Sequence, residues 1–126
     1  MPEILLIDDE QAHLRFREAV LRDAGFSVST AGDAASALNL LRDQTFAAQV
    51  GLIITDHVMP GATGAAFVKI LRNLHPSVPV LIMTGMVEAE EEYAGLNVQM
   101  LQKPCPPPDL IRRVTEILGE PEAPRN

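Results

Sequence analysis

Five short apolar runs punctuate the chain: EILLID, FSVSTA, GLIITD, VPVLIMTG and VQMLQK. Runs such as LIIT and VLIM do not alternate between apolar and polar positions. That pattern predicts strands buried on both faces, and hence a parallel sheet covered by helices. Helical patterns fill the intervals. Residues Gln11 to Ala24 form a first helix ending at Gly25, a residue suited to the position just past a helix. DAASALNLLRD predicts a second, with Asp33 as its cap. TGAAFVKILRNLH runs until Pro76, which cannot continue a helix. GMVEAEEEYAGLN is a weaker fourth, short and acidic. PPPDLIRRVTEILG is a fifth that opens on prolines and stops at Gly119.

Strand and helix therefore alternate five times. Such alternation gives an open, doubly wound α/β sheet with right-handed crossovers. One domain is expected over residues 1–119, followed by a polar tail or the start of a linker at 120–126. In these sheets ligands bind beyond the carboxyl ends of the strands. Asp8 and Asp9 follow the first run, Asp56 the third, Thr84 the fourth and Lys103 the fifth. Each alone is unremarkable chemistry. Adjacent acids fit a solvated loop, and Asp56 fits a cap or a turn. Their arrival at the ends of consecutive strands points to a site. Clustered hard oxygen ligands suit Mg²⁺, which takes a few carboxylates together with waters and phosphate oxygens. A cation would also account for an apolar strand, ILLI, running straight into the acids DDE.

Composition narrows the function. The chain has 126 residues, is 47% hydrophobic and carries a net charge of −7. One substantial core is possible. A domain this acidic is a poor candidate for binding nucleic acid or anionic lipid by charge alone, so neither partner is expected. The one cysteine, Cys105, rules out an intrachain disulfide and suits a reducing cytoplasm. No signal peptide is recognisable, and no apolar stretch reaches the ~18 residues of a membrane span. A cytoplasmic, bacterial protein is expected.

DDE at 8–10, DHVMPGATG at 56–64, MTG at 83–85 and KP at 103–104 agree in order, spacing and strand context. With them, essentially the whole chain resembles the receiver domain of bacterial two-component response regulators, the CheY-like superfamily. The resemblance implies a flavodoxin-like sheet of strand order 2-1-3-4-5. It implies that Asp56 takes a phosphoryl group from a phosphohistidine. Asp8, Asp9, Asp56 and the backbone carbonyl of Val58 would then ligate Mg²⁺, with Asp9 the favoured direct ligand of the acidic pair. Thr84 would hydrogen-bond the phosphoryl group and Lys103 would pair with it. A cis peptide before Pro104 is implied as well. Gly61 and Gly64 fit the turn after the acceptor. The implied partners are a histidine kinase or histidine phosphotransfer protein, and an output domain or downstream protein. Such a domain catalyses its own phosphotransfer and slow dephosphorylation without being a metabolic enzyme.

Several positions depart from the family pattern. Met100 stands where the family has Tyr or Phe, which puts the usual aromatic output switch in doubt. The interval from Thr84 to Lys103 is 19 positions (103 − 84), shorter than usual, with repelling acids at Glu88, Glu91 and Glu92. A dimer of the family's common kind is disfavoured there, and residues 87–96 are expected to open easily. Cys105 replaces an aromatic and reads as a buried structural thiol. Val58 and Met86 are apolar where a hydrolytic water would approach. Hydrolysis of the phosphorylated form should therefore be slow. His57 is expected at the mouth of the site. His13 falls on the first helix and His75 near a helix end. Leu14, Phe16, Val20 and Leu21 spread wider than one buried stripe, which makes Leu14 a candidate for docking a partner helix.

Rival readings are weaker. A dinucleotide-binding domain needs glycines, not acids, after the first strand. A haloacid dehalogenase-type phosphatase would place its nucleophile first and its acidic pair late. A non-phosphorylated pseudo-receiver that binds partners is the alternative from a different class. The receiver of a hybrid histidine kinase is another, although Met1 and the polar tail favour a stand-alone protein or an N-terminal receiver.

Overall fold

A computed structural model describes residues 2–59, 62–85 and 91–121. Its elements are β1 (Glu3–Ile7), α1 (Gln11–Asp23), β2 (Ser27–Ala31), α2 (Ala34–Leu41), α3 (Gln44–Gln49), β3 (Val50–Asp56), β4 (Val58–Met59), β5 (Ala62–Thr63), α4 (Gly64–Leu74), β6 (Val80–Thr84), β7 (Gln99–Gln102) and α5 (Pro107–Leu118). Five strands form one sheet in the order β2-β1-β3-β6-β7, and every pairing in it is parallel. This is the expected order 2-1-3-4-5, counted over the strands of that sheet. β4 and β5 form a separate antiparallel pair just beyond β3.

Successive residues of a strand face opposite sides of the sheet, which explains the unalternating apolar runs. Leu5, Ile7, Ile53 and Ile82 pack with Ala37, Leu41, Phe67, Val68 and Leu71, the layer of α2 to α4. Ile4, Leu6, Leu52, Ile54, Leu81 and Met83 pack with Leu14, Leu21, Leu110 and Val114, the layer of α1 and α5. Burying one such side chain contributes about 1.5–3 kcal/mol. Helices thus cover both faces, and the sheet holds its strand ends in fixed register.

The helix ends follow local chemistry. The Asp33 carboxylate accepts from the backbone N–H of Ser36 at 2.7 Å. Thr63 caps α4 by accepting from the N–H of Ala66 at 3.1 Å. Gly25 adopts φ 100°, where a side chain would strain the backbone, so α1 stops there. The short α3 is not among the helices the sequence predicts; Asp43 caps it by accepting from Thr45 and Phe46. The fourth helical expectation, over 85–97, has residues 86–90 outside the described part. Residues 91–93 form a single tight helical turn. Among the described residues, no helix is long and apolar enough to cross a membrane. The tail from residue 122 also lies outside the described part.

Candidate functional site

Sheet register assembles the site. Ile7 pairs with Thr55, so Asp8 stands level with Asp56 at the carboxyl edge. Asp56 pairs with Met83, so Thr84 lies one residue further along the next strand. Gln102 pairs with Thr84, and the backbone N–H of Lys103 donates to the Thr84 carbonyl at 2.8 Å. The Lys103 ammonium then reaches back across β6 to Asp56, with Nζ 2.5 Å from Oδ1. The Lys103–Pro104 peptide is cis, as the resemblance implies. Asp8, Asp56 and Thr84 are buried, while Asp9 is exposed. The Val58 side chain is 64% exposed beside them.

Arg17, which the sequence pattern does not single out, joins this edge. It lies on α1 and places a guanidinium nitrogen 2.5 Å from Asp8 Oδ2. The other oxygen, Oδ1, accepts from the backbone N–H of Glu10 at 2.9 Å. Helical spacing carries a signal for it. Arg17 lies three residues after Leu14 and four before Leu21, both buried, so it falls on the core-facing stripe of α1.

His57 differs from expectation. It is buried rather than at the mouth of the site. Its Nδ1 lies 2.7 Å from the Tyr93 hydroxyl, and its Nε2 lies 3.3 Å from Glu92 Oε2. Burial, then the charges of Glu92 and Asp56, push the Tyr93 hydroxyl well above its ordinary pKa. It therefore keeps its proton and shares a hydrogen bond with Nδ1, while Nε2 faces Glu92. Gly64 makes room for this pair. A Cβ there would collide with the Tyr93 hydroxyl and lie 3.0 Å from the Asp56 carbonyl oxygen. Gly61 lies outside the described residues.

Leu14 is a second correction. It is buried in the α1–α5 layer and cannot dock a partner. The neighbouring Phe16 is the exposed apolar group, at 59%. It borders a cleft of about 460 Å³ lined also by His13, Val20, Cys105 and Leu110, with Arg17 and Lys103 at its edge. Cys105 is half-buried rather than fully buried, and packs on the α1–α5 layer. Burial first, and then Asp109, push its thiol pKa up, so it is a poor nucleophile. Met100 packs against the opposite layer, filling space as a flexible side chain can.

Among the described residues no three acids, histidines or cysteines are gathered closely enough to hold a metal by themselves. The donor chemistry nevertheless fits Mg²⁺. Two carboxylates stand level on adjacent strands with a third next to them, and Mg²⁺ keeps several waters and draws further ligands from a phosphate.

The comparisons with known proteins agree with this geometry. Residues 4–115 match the family model of the response regulator receiver domain. The chain is 33% identical over 126 residues to Protein PetR of Rhodobacter capsulatus, covering 97% of this chain and 51% of that protein. It is 33% identical over 99 residues to the transcriptional regulatory protein ZraR of Escherichia coli, covering 79% of this chain and 22% of that one. It thus spans about half, or less, of the length of these relatives. The fold superposes on chemotaxis response regulator CheY4 of Vibrio cholerae with a TM-score of 0.82 at 30% identity, covering 94% of this chain and 99% of that one. The chain belongs to the response regulator receiver domain family of two-component signal transduction.

Proposed function

We propose that Asp56 accepts a phosphoryl group from the phosphohistidine of a histidine kinase or histidine phosphotransfer protein. The observation that carries this reading is the Lys103–Asp56 contact, at an edge that also holds Asp8 and Thr84. An Asp56 oxygen attacks phosphorus, the P–N bond breaks, and its electron pair stays on the departing imidazole. Such transfer needs positioning and charge neutralisation more than covalent help. Lys103 holds the carboxylate in place and afterwards shares the charge of the transferred group. The Thr84 hydroxyl donates to a phosphoryl oxygen. Asp8, Asp9, Asp56 and the Val58 carbonyl would hold Mg²⁺, which when bound offsets the repulsion between carboxylate and phosphate. Phe16 and the cleft beside Lys103 form the docking surface for the helix that carries the histidine.

The Arg17–Asp8 ion pair favours a second reading, in which the buried member of the acidic pair, Asp8, is already neutralised and the domain binds partners without phosphorylation. Incubation with a ³²P-labelled phosphohistidine protein and Mg²⁺ separates the two. Label transferred to this chain supports the first reading. No transfer at saturating Mg²⁺ leaves the interaction module.

A further inference from the structure

Asp8 is only 1% exposed, yet it carries a charge at the end of β1. Both its oxygens are engaged, one by the Glu10 N–H and the other by Arg17. The Arg17 side chain is itself just 13% exposed, so the pair is shielded from water. Charge-assisted bonds are strong in such surroundings, and a buried carboxylate without a partner is costly. An apolar side chain at this point of α1 would merely extend the Leu14–Leu21 stripe. Arginine there instead delivers a cation to the strand end. Lys103 does the same for Asp56.

We propose that Arg17 is a positioning residue, a built-in counter-ion that competes with a divalent cation for Asp8. This rests on Asp8 belonging to the Mg²⁺ site. Without metal, Arg17 neutralises Asp8 and keeps the edge of β1 stable. When a divalent ion arrives, either Asp8 Oδ2 releases the guanidinium or the guanidinium stays and repels the ion. The first outcome weakens metal binding by the strength of the Arg17–Asp8 bond, and the second by the repulsion between guanidinium and ion. The chain thus has a site that is stable when empty and fills only at higher cation concentration. A purely structural ion pair would behave differently. Its loss would lower stability and leave metal affinity unchanged.

The test is calorimetric titration of the whole chain with MgCl₂, for the parent, Arg17→Met and Arg17→Gln. Circular dichroism establishes that each variant folds, and the glutamine variant carries the test if the methionine variant does not. Both variants should bind Mg²⁺ roughly tenfold more tightly than the parent, the factor that one charge-assisted bond supplies. Their thermal midpoints in chelator should fall, and Mg²⁺ should raise them by more than it raises the parent's. Equal or weaker Mg²⁺ affinity in the variants overturns the role of Arg17 and leaves the metal site standing. No Mg²⁺ binding by any of the three proteins overturns the metal site, and the proposal with it.

Discussion

The Tyr93 hydroxyl sits 2.7 Å from Nδ1 of His57, the residue that follows Asp56. The two rings meet edge to face, with centroids 5.5 Å apart. This contact ties the end of β3 to the segment between β6 and β7. Tyr93→Phe removes the hydroxyl and leaves a buried ring nitrogen without that partner. It should cost about 1–3 kcal/mol of stability, read by urea denaturation. A cost near zero would mean that the hydrogen bond does not hold the pair together.

Arg72 of α4 secures the same region from the other end. Its guanidinium donates to the carbonyls of Leu96 at 2.8 Å, Asn97 at 2.9 Å and Val78 at 2.7 Å. Arg72→Ala should destabilise the fold by about 2–3 kcal/mol, since several carbonyls lose a charged donor at once. Amide exchange of Leu96, whose N–H donates to the Tyr93 carbonyl at 3.0 Å, should accelerate in the variant. Unchanged exchange there would show that Arg72 does not secure this segment.

The sheet is legible in the sequence because its central strands β1, β3 and β6 are buried on both faces, and short unbroken apolar runs bounded by turn residues fit little else. The site residues are legible because each lies at the end of such a run. Side-chain direction is not legible in the same way. His57 and Leu14 are close to the site in sequence, but strand alternation and helix phase turn them inward. Phe16 and Arg17, next to one another, take the opposite roles of exposed apolar group and half-buried charge. The short α3 has only six residues, too few to show a helical period. Tyr93 is hidden in a run of acids, although it is the chain's one tyrosine and its burial anchors a segment that charge alone would leave loose. Of the interval expected to open easily, residues 87–90 lie outside the described part.

Phe16 offers a way to separate partner recognition from chemistry. An exposed aromatic beside a cleft is the kind of side chain that dominates binding energy when a partner covers it. Phe16→Ala should slow phosphotransfer from a phosphohistidine protein by roughly tenfold, equivalent to about 1.4 kcal/mol. Phosphorylation by acetyl phosphate should be unaffected. Equal slowing with both donors would place Phe16 in the fold rather than at the interface.

Persistence of the phosphorylated form tests the apolar approach to Asp56. Val58 is well exposed beside the acceptor, and Met86 lies outside the described residues. Neither side chain can orient an attacking water. The double variant Val58→Asn with Met86→Glu should lose its phosphoryl group roughly tenfold faster, the effect of about 1.4 kcal/mol of regained positioning. Decay no faster than the parent's would show that these side chains do not control the water.

Intact-mass measurement after incubation with acetyl phosphate and Mg²⁺ addresses the acceptor itself. Lys103 holds Asp56 at the edge shared with Asp8 and Thr84, and no other carboxylate among the described residues has that set of neighbours. The parent should gain the mass of one phosphoryl group and Asp56→Asn should gain none. No gain in the parent, or the same gain in Asp56→Asn, would contradict the assignment of Asp56 as the phosphoacceptor.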